Sequence, residues 1–270
     1  MSTAIVLDSV THLKPEHRGV ACYCASHGGV YAAYTAAKMG IGAVILNDAG
    51  IGREQAGVAG LGLLDDLGVP AAAISHASAR IGDGKDGHSR GVLSFANAAA
   101  RRHGLTAGMT CNEALLRLAG ATLAPSPVPP ELAESRFEIV AASRGAVCVI
   151  GIDSTSLVTA ADIGHVVVTA SHGGLLGNKP ETALKYDARA AVYNDAGFGA
   201  DHAGVSRLPA LDARGIAGAC VSCFSARIGD ARSTYEDGFI SAVNMMAATW
   251  GGAVGQSCRE FVAAMVASKG

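Results

Sequence analysis

The chain contains two copies of one series of short motifs. Four motifs recur in the same order, at a nearly constant shift of 145 to 147 residues: Asp-Ser at Asp8 and Asp153, Ser-His-Gly-Gly at Ser26 and Ser171, Asn-Asp-Ala-Gly-x-Gly at Asn47 and Asn194, and Ser-Ala-Arg-Ile-Gly-Asp at Ser78 and Ser225. An ordered series at a nearly fixed spacing indicates an internal duplication. Any fold of this chain must therefore contain two equivalent units.

The duplication predicts two repeats and a connector. The first repeat covers residues 1–120, and the second covers residues 137–270. Residues 121–136 join them and include four prolines, at positions 125, 127, 129 and 130. A proline-rich segment of this kind is typical of a semi-rigid spacer.

Each repeat alternates short apolar runs with stretches of helical composition. Strands are expected over 4–7, 20–25, 43–46 and 71–74, and again over 147–152, 166–170, 190–193 and 217–223. Helices are expected over 30–39, 55–67 and 91–103, and again over 180–186, 202–213 and 238–250. This alternation predicts an α/β fold made of βαβ units, with mostly parallel sheets and a pseudo-two-fold relation between the repeats.

Composition excludes several classes of protein. Hydrophobic residues make up 50% of the chain, which argues against disorder, and a net charge of −2 gives no basic surface for nucleic acid. The apolar runs are far shorter than the roughly 20 residues of a membrane-spanning helix. The first residues lack a basic region followed by a long apolar stretch, so we expect no secretory signal. Seven cysteines without that signal indicate reduced thiols and a cytoplasmic location.

The repeated motifs all follow predicted strands. Ligands of parallel α/β sheets bind beyond the carboxyl ends of the strands, so these motifs are expected to converge at one edge. In Ser-His-Gly-Gly, we predict catalytic roles for Ser26, His27, Ser171 and His172. The glycines that follow, Gly28, Gly29, Gly173 and Gly174, would offer N–H groups to an anion or oxyanion. The alternative is a helix cap with two turn glycines.

The other two motifs offer charged and amide groups. Asp48 and Asp195 are candidate general bases, and Asn47 and Asn194 could polarise a substrate carbonyl. The alternative is an Asx-type turn. Four further candidates for substrate binding come from Ser-Ala-Arg-Ile-Gly-Asp: Arg80, Asp83, Arg227 and Asp230. The arginines could clamp a carboxylate or an imide oxygen, or could form structural ion pairs with the aspartates.

Two further features bear on the site. The glycine-containing segment 84–90 is a candidate lid. Lys38 and Lys185 follow the Ser-His-Gly-Gly motifs and could cap helix ends or form serine–lysine pairs with Ser26 and Ser171. In this respect the chain resembles the ring-opening amidohydrolases, which use such a pair in each of three repeats and have different motifs. No HxH or HExxH spacing indicates a metal, so we expect no cofactor, and a divalent metal stays an open alternative.

These residues predict an enzyme that acts on a small polar metabolite. Hydrolysis of an amide or cyclic amide would use a nucleophile or base, oxyanion donors and an anion clamp most directly. One alternative is a pseudo-symmetric racemase, isomerase or lyase with His27 and His172, or Asp48 and Asp195, as paired acid and base. Another alternative is a non-catalytic metabolite-binding protein. The helices rich in Ala and Gly lead us to expect a homo-oligomer.

Overall fold

The computed structural model describes residues 4–140 and 147–268 and shows an α/β fold with two mixed, mostly parallel sheets. The outer limits predicted for the repeats, residues 1 and 270, lie outside the described residues. The first sheet has the strand order β1-β2-β3-β4-β5, with β1 (Ile5–Leu7), β2 (Ala21–His27), β3 (Ala43–Asn47), β4 (Ala71–Ile74) and β5 (Leu93–Ala96). Strands β1 to β4 are parallel, and β5 is antiparallel to β4.

The second sheet repeats this arrangement and adds one strand. Its order is β11-β10-β9-β8-β7-β6, with β6 (Arg136–Val140), β7 (Val149–Ile152), β8 (Val166–His172), β9 (Ala190–Asn194), β10 (Ala217–Val221) and β11 (Ile240–Val243). Strands β7 to β10 are parallel, and β6 and β11 are antiparallel edges. The predicted α/β class is therefore confirmed.

Helices cover both faces of each sheet. The first repeat has α1 (Val30–Lys38), α2 (Gly60–Asp66), α3 (Gly84–Arg90), α4 (Ala98–Arg102) and α5 (Cys111–Ala119), and the second has α6 (Arg207–Asp212), α7 (Ala231–Asp237), α8 (Met245–Thr249) and α9 (Cys258–Ala267). Apolar clusters fill the space on each side of each sheet. Strands buried on both faces explain why the strand sequences are continuously apolar rather than alternating.

Equivalent residues start equivalent helices. Thr110 at the start of α5 accepts from the backbone N–H of Glu113, whose side chain in turn accepts from the Thr110 N–H. Ser257 and Glu260 form the same capping box at the start of α9, 147 residues later. A capping box satisfies two backbone donors that the helix itself leaves free.

Four elements differ from the sequence-based expectation. The region 91–103, predicted as one long helix, forms β5 followed by the short helix α4, and 238–250 likewise forms β11 and α8. The predicted helix over 180–186 is a single 3-10 turn, Pro180–Thr182. The candidate lid, residues 84–90, is helix α3, which Asp83 caps. Alanine and glycine at high density leave little periodicity with which to separate helix from edge strand.

The two repeats contact each other through equivalent residues. A small apolar cluster joins three equivalent pairs: Ala49 with Ala196, Ala56 with Ala203, and Ile81 with Ile228. The N–H of Arg53 donates to the Cys223 carbonyl, and the N–H of Ala200 donates to the His76 carbonyl, both at 2.8 Å. Reciprocal contacts of this kind are those expected from a two-fold relation between the repeats.

No helix within the described residues is long and apolar enough to cross a membrane.

Candidate functional site

A cavity of about 490 Å³ lies between the two repeats, where β2 and β8 end. Four of the predicted catalytic residues line it: Ser26, His27, Ser171 and His172. Both Ser-His-Gly-Gly motifs therefore contribute to one cavity. The first repeat adds Tyr31 and Thr35 from α1, and the second adds further hydroxyl and charged groups, among them Asp153 and Ser154 of the repeated Asp-Ser motif.

The two histidines are neighbours in this cavity. The imidazole rings of His27 and His172 lie 6.4 Å apart between centroids and meet edge to face, at an interplanar angle of 78°. Each ring also lies near one glycine of a Ser-Ala-Arg-Ile-Gly-Asp motif. A Cβ at Gly229 would come within 3.9 Å of His27 Cε1, and a Cβ at Gly82 would come within 3.4 Å of His172 Cε1. Gly229 belongs to the second repeat and Gly82 to the first, so each ring packs against the opposite repeat.

Both histidines are held as neutral hydrogen-bond donors. His27 Nδ1 accepts from the Gly29 N–H and His172 Nδ1 accepts from the Gly174 N–H, each at 3.1 Å. A neutral ring whose Nδ1 accepts must carry its proton on Nε2. Burial lowers the pKa of His27 to about 4. Burial, with the nearby Arg207 charge, lowers the pKa of His172 well below its usual value.

The glycine N–H groups of the motifs are already engaged within the protein. Gly28 donates to the Asn47 carbonyl and Gly173 to the Asn194 carbonyl, both at 2.8 Å. The next glycines, as described above, donate to histidine Nδ1. These backbone N–H groups are therefore not free to bind an oxyanion, whereas among the described residues neither histidine Nε2 has a hydrogen-bond partner.

The motif serines order the loops that follow the first strand of each repeat. Ser26 Oγ accepts from the Val10 N–H at 3.0 Å and lies 3.3 Å from Ser9 Oγ. Ser171 Oγ accepts from the Thr155 N–H at 3.0 Å and lies 3.3 Å from Thr155 Oγ1. These partners are hydroxyls and backbone N–H groups, not bases, so neither serine has the neighbour that activates a nucleophile.

Glu134 is a carboxyl group of this cavity that sequence reasoning missed. Burial raises its pKa, the Asp153 carboxylate raises it further, and the hydroxyls of Ser154 and Tyr31 beside it act in the opposite direction. Tyr31 belongs to α1 and Ser154 to the second repeat, so Glu134 lies where the repeats meet. A carboxyl group of raised pKa in a cavity is a candidate general base or acid. The predicted connector carried no signal for this role.

Arg207 is a second residue that the sequence analysis missed. It lines the cavity and is only 3% exposed. Its Nε donates to the Gly174 carbonyl at 2.9 Å, and its Nη1 donates to the carbonyls of Thr182 and Ala183 at 2.7 and 2.6 Å. Burial lowers the pKa of this guanidinium. Lys185 also lines the cavity, whereas Lys38 lies outside it, over the Tyr34 ring.

Arg207 takes a position that glycine holds in the first repeat. The N–H of Gly60 donates to the Gly28 carbonyl, and the N–H of Arg207 donates to the equivalent Gly173 carbonyl. A Cβ at Gly60 would come within 2.5 Å of the Gly29 carbonyl oxygen and 2.6 Å of the Ala33 Cβ on α1. Between β8 and β9, where every residue is described, the second repeat has only the 3-10 turn Pro180–Thr182 in place of α1, and this frees the space for an arginine. The glycine–arginine mismatch at these aligned positions is the signal that could have found it.

The Asn-Asp-Ala-Gly-x-Gly motifs lie outside the cavity, at the contact between the repeats. Asn47 Oδ1 accepts from the Ala49 N–H, as in an Asx turn, and Asn194 does the same for Ala196, both at 2.9 Å. A Cβ at Gly50 would lie 3.0 Å from the Gly197 Cα. The loops also place eight non-glycine residues at positive φ: Ala49, Ile51, Glu54, Gln55, Ala196, Phe198, Asp201 and His202. The motifs thus form a strained but equivalent joint in both repeats.

The aspartates of these motifs are buried and hydrogen-bonded within the joint. Asp48 Oδ1 accepts from the backbone N–H and from Nδ1 of His76, both at 2.8 Å. These bonds outweigh burial and lower the pKa of Asp48, while the same pair raises the pKa of His76. Asp195 accepts from the N–H of Cys223, the residue equivalent to His76. Neither aspartate lines the cavity.

The predicted arginine clamps make ion pairs between the repeats. Arg80 pairs with Asp201 at 2.9 Å, and the equivalent Arg227 pairs with Glu54 at 3.1 Å. Arg227 also pairs with Asp230 at 2.9 Å, while Arg80 and Asp83 are 3.9 Å apart. Asp83 and Asp230 cap α3 and α7. The alternative interpretation of these residues, as structural pairs, matches their surroundings.

Among the described residues, no three His, Cys, Asp or Glu side chains come together as a set that could hold a metal ion. No protein-family model, curated protein or solved structure matches the chain.

Proposed function

We propose that this protein is an enzyme that binds a small polar metabolite in the cavity between its repeats and hydrolyses an amide or cyclic amide bond. The observation that carries the proposal is the pair of neutral imidazoles, His27 and His172, with Nδ1 of each engaged and Nε2–H left to donate. Donors aimed at a developing oxyanion are usually the largest contribution to acyl-transfer catalysis.

In this mechanism the two histidines stabilise charge and Glu134 moves the proton. Glu134 takes a proton from water as the water oxygen forms a bond to the carbonyl carbon, and negative charge develops on the carbonyl oxygen between the Nε2–H groups. The C–N bond then breaks, and the nitrogen leaves with the proton that Glu134 returns. A raised pKa suits Glu134 to both proton transfers. Neither motif serine is needed as a nucleophile.

Isomerisation or racemisation is the second candidate, because the same donors would stabilise an enolate. The version of this hypothesis with His27 and His172 as paired acid and base is less favoured, since neither neutral ring has a free basic nitrogen. Glu134 would then be the base that removes a proton next to the carbonyl. Incorporation of solvent deuterium into recovered substrate, without ring opening, would support this candidate.

The test is a panel of cyclic amides and imides, including hydantoin, dihydrouracil, succinimide and pyroglutamate, incubated in H₂¹⁸O. Hydrolysis places one ¹⁸O in the ring-opened product, detected by mass spectrometry. His172→Ala should slow formation of this product by about 100- to 1000-fold, and His103→Ala, outside the cavity, should not slow it. Incorporation of ¹⁸O that His172→Ala leaves intact would overturn the site. Ligand-induced stabilisation without any turnover or exchange would support the non-catalytic alternative instead.

The cytoplasmic location and the homo-oligomeric state stay predictions. Large apolar side chains on the surface, such as Phe224, which is 72% exposed, and Met245, which is 76% exposed, support self-association. Light scattering of the purified protein tests the homo-oligomeric state, and a monomer at all concentrations would contradict this prediction.

A further inference from the structure

Arg207 carries a buried charge that no acidic side chain balances. The residue is 3% exposed, and the hydrogen bonds of its guanidinium go to backbone carbonyls. Within the part of the chain that the structure describes, no carboxylate lies within 4.0 Å of it, although ion pairs join most other arginines of the interface between the repeats. Buried charges in proteins are normally paired, because carbonyl dipoles only partly replace the lost hydration.

Three carboxylates line the same cavity, and among the described residues none of them forms an ion pair with Arg207. Asp153 accepts from the N–H groups of Ala231 and Ser135, at 2.9 and 2.7 Å. Glu134 lies beside Ser154 and Tyr31. Glu181 is exposed. Lys185 is a second cation on the cavity wall, four residues after Glu181. The cavity therefore has a cationic end at Arg207 and Lys185, and an acidic end near Glu134 and Asp153.

The order of the strands separates these two ends. Asp153 follows β7, His172 ends β8, and Arg207 begins α6, the helix after β9. Because β8 lies between β7 and β9 in the sheet, the histidine falls between the acidic and the cationic ends. A ligand whose carbonyl reaches the imidazoles can extend towards the guanidinium. The Arg207 charge also acts on His172, whose pKa it helps to lower.

The first repeat cannot supply a matching cation. Gly60, the equivalent of Arg207, packs against α1 with no room for a side chain. The apolar and hydroxyl groups of Val10, Ala32 and Thr35 line the first repeat's part of the cavity instead. Among the residues that the structure describes, only the second of the two nearly equivalent halves thus presents a buried positive charge to the cavity, and this charge defines a direction for the ligand.

We propose that the cavity binds substrates that carry a carboxylate, and that Arg207, assisted by Lys185, holds this group so that the scissile carbonyl lies at His27 and His172. Arg207 is thereby a specificity-determining residue that selects one of the two orientations a pseudo-symmetric cleft allows. That the bound carboxylate is a substrate rests on the proposed function, whereas the binding of a carboxylate at Arg207 does not.

The first experiment compares charge at constant shape in the wild-type protein. Glutarate, glutaramate and glutaramide differ in the number of carboxylates and little in size. Calorimetric titration should show saturable binding of glutarate and glutaramate, and affinity for glutaramide weaker by about 10- to 100-fold, because hydrogen bonds to charged partners are the stronger ones. Equal affinities, or no binding of either carboxylate at millimolar concentration, would overturn the proposal without the need for any variant.

The second experiment removes the cation. Arg207→Gln should lower affinity for glutaramate by about 10- to 100-fold and leave that for glutaramide nearly unchanged. Arg207→Lys, which keeps the charge, should lose less, and it replaces the first variant if that one does not fold. Arg117→Gln is the matched control, because Arg117 also donates to a backbone carbonyl, that of Gly104, and lies outside the cavity. Loss of affinity for the acid and the amide alike would show that Arg207 only supports the fold.

The outcomes separate this proposal from the proposed function. Carboxylate binding that depends on Arg207, with no hydrolysis of any amide, would leave the anion site standing and remove the hydrolase. Hydrolysis of neutral amides as fast as of their carboxylate-bearing analogues, such as pyroglutamate beside 2-pyrrolidone, would leave the hydrolase standing and remove the anion site.

Discussion

His27 and His172 lie in different repeats, yet their imidazole rings meet edge to face with centroids 6.4 Å apart. Each is the histidine of a Ser-His-Gly-Gly motif and the last residue of its strand, β2 or β8. In a single repeat this strand end would face solvent. The contact between the repeats turns these two edges into one cavity. Duplication thereby supplies two neutral N–H donors at one place, an arrangement that one repeat alone does not contain.

Replacing His172 by Ala should reduce kcat by about 100- to 1000-fold, the usual loss for one oxyanion donor. Gln, which keeps an N–H donor, should lose less than Ala. His27→Ala should behave in the same way, since the two rings have equivalent hydrogen bonds. Steady-state kinetics on the substrate found in the amide panel measures these losses. An unchanged kcat in both alanine variants would contradict the role of the imidazoles.

Acidification should destabilise the protein between about pH 6.5 and pH 4. His27 has a pKa of about 4 in the folded state and near 6.5 when unfolded, so the unfolded chain binds a proton first as the pH falls. The stability that the neutral ring contributes is therefore complete above pH 6.5 and lost as the pH falls towards 4, by at most about 3 kcal/mol. Urea unfolding across this range measures it. His27→Gln should reduce the slope and leave the contribution of His172, whose pKa burial lowers as well. An unchanged slope would exclude His27 as a source.

The acid limb of kcat/KM should follow Glu134 rather than a histidine. Burial raises the pKa of Glu134, so activity should fall with decreasing pH at a value above that of an ordinary glutamate. Glu134→Gln should remove this limb together with most of the activity. Glu138→Gln, on the exposed strand β6, is the control and should leave the profile unchanged. A limb that persists in active Glu134→Gln protein would assign the proton transfer to another group.

Two glycines of α2 should respond oppositely to alanine. Gly60→Ala brings a Cβ within 2.5 Å of the Gly29 carbonyl oxygen and should destabilise the protein by about 1–3 kcal/mol, the usual cost of overpacking. Gly62→Ala meets nothing within 4 Å and should stabilise by up to about 1 kcal/mol through helix propensity. Thermal unfolding compares the two. A neutral Gly60→Ala variant would show that α1 can move away from α2.

The repeated motifs predicted the class of fold and the place of the cavity. Within each sheet, every parallel strand of a βαβ unit points its carboxyl end to the same edge. The carboxyl ends of β2 and β8 belong to different sheets, and they meet because the two repeats pack with these edges together. The same reasoning placed Asp48 and Arg80 at this edge as well. In the structure they serve the joint between the repeats, through His76 and Asp201, because which loops touch depends on how two sheets pack, and local sequence carries no record of that.

Glu134 and Arg207 are two residues of the cavity that the sequence did not predict. Glu134 reaches the cavity from a segment whose prolines indicate only a connector. Arg207 differs from its counterpart Gly60, and an analysis based on what the copies share passes over such a position. Both residues are of interest because the fold places them in the cavity. A single charged side chain outside any motif has no periodicity or spacing from which this placement could be predicted.

The sequence by itself determined that this chain folds as two equivalent α/β units with hydrophilic residues at the ends of their strands. Continuous apolar runs indicate buried strands, and the repeated order of the motifs indicates the duplication, so both can be read from local sequence. Only the tertiary structure decided that two histidines share one cavity, that their protons lie on Nε2, and that a single arginine makes the halves unequal. The meeting of the two histidines depends on the packing of one repeat against the other, because distances between residues about 145 positions apart are set by the surfaces in contact and not by neighbours in the chain.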